Sequence, residues 1–258
     1  MSSSLPFGAS AADLSSRSFL ILKLGDTWAE AARALGDFEH WIARGLAAAG
    51  LPLRVLDPRR GDALPDPQQV AGVVMTGSHA MVTERAAWSE AVAAWLRVAV
   101  PAGVPVLGIC YGHQLLADAL GGKAGDHPTG LELGTVQVRR LPAAHGDALF
   151  GALPDGFPVQ VVHRQSALRL PPGAVALAAN DWEPHQAFRV GTRAWGVQFH
   201  PEFSAAAMQA YVDRLGADAS APPQVGDTPA SASLLPRFAR LVRGHEAQRQ
   251  RPAPARAA

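Results

Sequence analysis

The single cysteine of this chain, Cys110, stands in the run Gly108-Ile109-Cys110-Tyr111-Gly112, which closes the short apolar stretch beginning at Pro105. A thiol between glycines where a strand turns into a helix reads as a nucleophile elbow. The glycines allow the sharp backbone turn and keep side chains clear of the attacking atom. The positive end of the following helix favours the thiolate, and the N–H of Tyr111 is placed to hold an oxyanion. An isolated cysteine is more often a small buried apolar residue, but its flanking glycines and the elements on either side favour the nucleophile. Such a nucleophile needs a base, and the base needs an orienting group. Gly196-Val197-Gln198-Phe199-His200-Pro201-Glu202 offers both at the end of an apolar strand. On an extended chain His200 and Glu202 point to the same side, with Pro201 stiffening the backbone between them. The chemistry is attack of sulfur on a carbonyl carbon.

Elements able to position these groups are visible along the chain. Ser18–Leu24 reads as a buried strand, Asp37–Ala49 as an amphipathic helix ending at Gly50, and Leu53–Leu56 and Val70–Met75 as further strands. Trp88–Val100 is a second helix, Pro105–Ile109 the strand before the thiol, and Gln114–Leu120 the body of the helix after it. Strands without polar alternation, separated by helices, predict a parallel sheet covered on both faces. In the second half Leu133–Arg139 and Phe157–Val162 alternate, and Gly191-Thr192 joins Ala187–Val190 to Ala194–Phe199 as a hairpin. These predict antiparallel strands added to the same sheet, then a helix over Ser204–Leu215. Residues 1–17 read as a loose lead-in, 18–216 as one domain and 217–233 as an Ala/Pro/Ser-rich linker. Residues 234–258 read as a helix, Leu234–Val242, followed by a disordered basic tail.

The composition narrows the function classes. With 48% hydrophobic and 17% charged residues the chain is globular rather than disordered. Lys and Arg number 23 against 22 Asp and Glu, so no basic field draws a nucleic-acid backbone. One cysteine makes neither an internal disulfide nor a thiolate metal site. The first sixteen residues lack the basic and apolar regions of a signal peptide, and no apolar run is long enough to span a bilayer, so a cytoplasmic location without membrane association is the expectation. Neither a phosphate-binding glycine loop nor a metal-binding motif occurs, and no cofactor is expected.

Gly108-Ile109-Cys110-Tyr111-Gly112-His113-Gln114 together with Phe199-His200-Pro201-Glu202 resembles the class I, triad-type glutamine amidotransferases. The resemblance covers roughly residues 18–215 and implies a three-layer, flavodoxin-like α/β domain. Carried over, it makes Cys110 the nucleophile, His200 its base and Glu202 the orienter. Gln114 falls on a substrate-holding glutamine, and Glu132 on a segment beside the glutamine pocket. Gly77 and Ser78 fall on the loop that shares the oxyanion hole with Tyr111. Ser78 replaces the usual second glycine, His79 a common proline, and Gln165, in His163-Arg164-Gln165-Ser166, an acid of many relatives. The last departure, with the surrounding segments, resembles the standalone, GMP-synthase-like branch. His163 and His185 are candidate substrate contacts, whereas Trp28, Trp41, Trp88 and Trp95 read as packing residues.

The resemblance implies hydrolysis of the glutamine side-chain amide through a γ-glutamyl-Cys110 thioester, giving glutamate and ammonia. No ATP-pyrophosphatase motif follows in the sequence, so a separate, unidentified synthetase is one candidate partner. A standalone hydrolase of γ-glutamyl amides or peptides is the alternative. An idle regulatory or binding module fits the intact Cys–His–Glu set less well, as does an α/β-hydrolase of the dienelactone type, which lacks the His-Pro-Glu arrangement.

Overall fold

The computed structural model describes residues 17–47, 50–216 and 223–250. Five parallel strands form the first half of its main sheet: β1 (Ser18–Leu22), β2 (Leu53–Leu56), β3 (Val70–Met75), β4 (Val106–Ile109) and, arriving late in the chain, β11 (Ala194–Val197). β11 pairs in parallel with β4 and antiparallel with β10 (Ala187–Val190), so it joins the two halves of the sheet. Antiparallel strands β9 (Val175–Ala179), β6 (Glu132–Arg140) and β7 (Gly156–His163) complete the nine-stranded order β2-β1-β3-β4-β11-β10-β9-β6-β7. The predicted mixed sheet and the β10–β11 hairpin are both present. β5 (Lys123–Asp126) and β8 (Gln165–Arg169) lie outside the sheet as a separate antiparallel pair.

Alternation along the buried strands feeds two cores. Phe19, Ile21, Val74, Leu107 and Ile109 face one side, toward α2 (Phe38–Leu46) and α7 (Leu234–Arg249). Leu20, Leu22, Val73, Met75 and Val106 face the other, toward α3 (Ala87–Ala99) and α4 (Tyr111–Ala119). Each fully buried side chain of this size contributes roughly 1.5–3 kcal/mol. A third cluster joins Phe38 and Trp41 to Phe203, Met208, Tyr211 and Val212 beside α5 (Ala205–Leu215). Ser204 caps α5 by accepting the Ala207 N–H.

Several boundaries differ from the sequence reading. A short helix, α1 (Ala29–Leu35), precedes α2, and the Asp37 side chain caps α2 by accepting the Phe38 N–H at 2.8 Å. Gln224 and Gly226, within the stretch read as a linker, bond to Thr135 of β6, and α6 (Pro229–Ala232) lies against β7. α7 runs seven residues beyond Val242, carrying Arg243 and Arg249 with it. It lies directly on the body, with Leu235 against Gly45 and Val242 against Gly72. The lead-in before Arg17 and the tail after Gln250 lie outside the described residues.

Candidate active site

β4 ends at Ile109 and α4 begins at Tyr111, leaving Cys110 alone to make the turn at φ 49° and ψ −100°. That conformation is strained for any residue with a Cβ, and it persists because its surroundings hold it. The Cys110 N–H donates to Val197 O at 2.8 Å and its carbonyl accepts the Gln114 N–H at 3.0 Å, pinning the elbow to β11 and to α4. A Cβ on Gly108 would run into the Gly112 carbonyl, so this turn admits no side chain there. The Tyr111 N–H opens α4, where helix geometry leaves it without an intrahelical partner. The Tyr111 hydroxyl is buried and bonds Ser89 Oγ at 2.7 Å. Burial pushes that phenol up to about 12, so it stays neutral.

Across from the elbow, the loop after β3 carries Thr76, Gly77 and Ser78. Thr76 Oγ1 donates to Gly77 O and accepts the Leu24 N–H, both at 2.8 Å, tying this loop to the end of β1. Neither Gly77 nor Ser78 has positive φ, so serine occupies its position without backbone strain. A Cβ on Gly77 would stand 3.0 Å from His200 Cε1 and 3.6 Å from Cys110 Cβ, so a side chain there would press on the imidazole.

His200 reaches the site by a route the sequence reading did not anticipate. β11 ends at Val197, and His200 and Glu202 belong to a turn, in which the Phe203 N–H bonds back to His200 O at 3.3 Å. The same turn is anchored to β7 through the His200 N–H and Gln160 O at 2.8 Å. Within it His200 Nδ1 lies 2.8 Å from Glu202 Oε1. A carboxylate only accepts, so Nδ1 is protonated, and the Nε2 edge, protonated or not, is left for Cys110. Both side chains are almost fully buried. Burial opposes the imidazolium most strongly, but the charges of Glu202 and then Cys110 outweigh it, and the ring is raised to about 10. Phe203, 4.2 Å away ring to ring, packs against the imidazole.

Cys110 opens onto a cavity of about 250 Å³. On one side stand Gln114, Val162, His163 and Gln165. Gln114 Nε2 donates to Gln165 O at 2.6 Å, and His163 Nδ1 approaches the same carbonyl at 3.0 Å. His163 Nε2 bonds Glu132 Oε2 at 2.8 Å, and Asn180 and Gln186 also donate to that carboxylate. Glu132 therefore stands behind His163 rather than against the cavity. His185 lies away from it too, with Nδ1 bound to Ala167 O. Gln165 turns its amide nitrogen to Thr83 Oγ1 and Asp126 Oδ1. On the other side the cavity meets Trp28, His79 and Leu215. His79 stacks on Trp28 at 4.7 Å and its Nε2 lies 3.1 Å from Tyr211 Oη. Burial, then the charges of His200 and Arg214, hold the His79 imidazole below its ordinary value. Of the tryptophans read as packing residues, Trp41 and Trp95 are buried, whereas Trp28 lines the cavity. A lone tryptophan just past a strand carries no periodic signal that would have placed it there.

The site thus sets a strained cysteine, at a strand–helix elbow and open to a small cavity, beside a buried histidine–carboxylate pair. The chain belongs to the class-I glutamine amidotransferase family, whose profile matches residues 34–215. Glutamine-hydrolyzing GMP synthase of Aeropyrum pernix is 37% identical over 172 residues, covering 65% of this chain and 31% of that protein. In Methanopyrus kandleri, a separate subunit of the glutamine-hydrolyzing GMP synthase is 31% identical over 168 residues, covering 65% of this chain and 84% of its own length. The chain thus spans about a third of the long synthases and most of the separate one. Among solved structures, a glutamine amidotransferase from Methylobacillus flagellatus superposes with a TM-score of 0.70 at 25% identity, covering 95% of this chain and all of that one. No helix among the described residues is long and apolar enough to cross a membrane.

Proposed function

We propose that the chain hydrolyses the side-chain amide of glutamine through a γ-glutamyl thioester on Cys110. The observation that carries this reading is the buried His200, held through Nδ1 by Glu202, with its free Nε2 edge beside Cys110. The Cys110 thiol gives its proton to His200 Nε2 and the sulfur attacks the amide carbon; the oxyanion that forms is held by the Tyr111 N–H and the Gly77-Ser78 loop. His200 gives its proton to the departing nitrogen as the C–N bond breaks, leaving the acyl group on sulfur. A water then loses a proton to His200 as it attacks the thioester, and glutamate leaves with the thiol restored. Gln114 supports the acyl side, held through Gln165 O, while His163 and Glu132 brace that carbonyl rather than exchange protons with substrate.

The departing nitrogen can be ammonia or a substituted amine under this reading. The GMP synthase relatives favour delivery of ammonia to a separate synthetase. The cavity wall of Trp28, His79 and Leu215 favours hydrolysis of a substituted γ-glutamyl amide instead. Purified protein incubated with glutamine should release ammonia and glutamate, and a glutamine-analogue electrophile should label Cys110 alone. Undiminished turnover by Cys110→Ala would sink the proposal, and failure of the label to attach would favour an idle binding module.

A further inference from the structure

Cys110 divides the cavity between the two halves of an amide. The departing nitrogen must lie on the side of His200, which delivers its proton. The acyl chain must then lie on the other side, by Gln114, Gln165 and His163. A chain of packed rings running behind the cavity fixes which side is which. His200 packs on Phe203 at 4.2 Å, Phe203 on Tyr211 at 5.1 Å, and Tyr211 on Trp28 at 4.2 Å. His79 closes the wall by stacking on Trp28 at 4.7 Å. Trp28, His79 and Leu215 thus meet the cavity on the side where the amine departs.

The wall is also held in advance of any ligand. Tyr211 Oη bonds Thr27 Oγ1 at 3.0 Å and His79 Nε2 at 3.1 Å, and the Arg214 guanidinium lies 4.7 Å over the Trp28 ring. Ammonia is a single heavy atom and draws nothing from a wall of carbon-rich rings. An apolar group attached to the nitrogen would lose water against the indole edge and Leu215 at little cost in ordering.

We propose that the wall formed by Trp28, His79 and Leu215 receives an aromatic substituent on the departing amine, so that γ-glutamyl amides of primary amines bearing a ring are turned over in preference to glutamine itself. The inference rests on γ-glutamyl transfer to Cys110 as set out above. The bonds balance in the same way: sulfur–carbon forms, carbon–nitrogen breaks, and the His200 proton leaves on the amine. Water then divides the thioester into glutamate and thiol.

The test compares glutamine, γ-glutamyl-methylamide and γ-glutamyl-benzylamide with the full chain. The last two share amide electronics closely and differ mainly in the ring. The expected result is a kcat/KM for the benzylamide at least about tenfold above that for the methylamide, carried mainly by KM. Trp28→Ala should bring that ratio toward one, while Trp28→Phe keeps most of it; a ratio is unaffected by a uniform loss of active protein. Turnover of glutamine and the methylamide with no gain from the ring would overturn this inference and leave the Cys110 reading standing. No turnover of any of the three would overturn both.

Discussion

Gly25, in the loop after β1, lies so close to Ser78 that a Cβ there would stand 2.5 Å from the Ser78 Cα and 2.8 Å from the Gly77 oxygen. The loop proposed to hold the oxyanion therefore rests on Gly25, which lines no part of the cavity. Gly25→Ala must push that loop toward or away from Cys110. Removing one oxyanion donor costs about 10²–10³-fold in turnover, so a displaced loop should cost at least about tenfold in kcat, with KM little changed. Steady-state kinetics beside a far-ultraviolet spectrum would check this, and full activity in a folded variant would show that the loop tolerates the shift.

At Cys110 the usual order of alanine over glycine should reverse. Its φ of 49° suits glycine and strains any residue with a Cβ. Both Cys110→Ala and Cys110→Gly should lack turnover, yet the glycine variant should be the more stable by about 1 kcal/mol. Thermal melts of the pair give the answer directly. Equal melting temperatures would mean that the elbow relaxes once the sulfur is gone.

The His200 ring should stay charged well above neutrality. Its value is raised from 6.5 to about 10, because Glu202 and Cys110 together outweigh burial. A histidine raised on folding contributes stability that is whole below pH ~6.5 and is lost as pH climbs through about 10. Ring-nitrogen NMR on histidine-labelled protein should show both His200 nitrogens protonated at pH 8. Cys110→Ala removes one of the charges that raise the ring, so its titration should move down. A His200 signal titrating near 6.5 in the unmodified protein would contradict the coupling.

Glu132 offers a separation of support from chemistry. Its buried carboxylate takes hydrogen bonds from His163, Asn180 and Gln186. Glu132→Ala strands those donors and should cost about 3–5 kcal/mol, by analogy with a broken buried ion pair. Glu132→Gln, which keeps an acceptor, should recover much of the stability. If instead the loss appears only in KM for glutamine, with the melt unchanged, Glu132 touches substrate after all.

A cooperative unit that includes α7 is the expectation from its packing. Phe238 is fully buried, 5.8 Å ring to ring from Phe19 of β1. Phe238→Ala should therefore lower stability by about 3–5 kcal/mol in a single unfolding transition. A two-step melt would instead make the segment from residue 223 onward a separate unit.

What the sequence disclosed follows from where its signals are local. β1, β3 and β4 are buried on both faces and read as unbroken apolar runs, and the elbow announces itself by two glycines around one thiol. β5, β8 and β9 are short, without a clean alternation, and they form only because partners from elsewhere complete them. The place of Glu132 behind His163 depends on the β6–β7 register, which sets those two residues opposite each other. The His200–Glu202 contact depends on a turn rather than on strand alternation, so the pairing of the two side chains was legible for an incomplete reason. Trp28 was illegible as a wall of the cavity because its neighbours there, His79, Tyr211 and Arg214, come from distant parts of the chain.

The pairing of β4 with β11 has a consequence for how the protein comes into being. β4 carries the thiol at its end, and its partner on that side is the last strand of the sheet to be synthesised. Until residues 194–197 emerge, β4 is an unpaired edge of four apolar residues leading to the chain's only cysteine. Such an edge is a template for pairing with other chains, and closing it is a long-range event of the kind that slows folding. Chains halted or cut before β11 should be prone to aggregation and to oxidation at Cys110, while the completed sheet buries the edge at the same moment that it brings His200 to the sulfur.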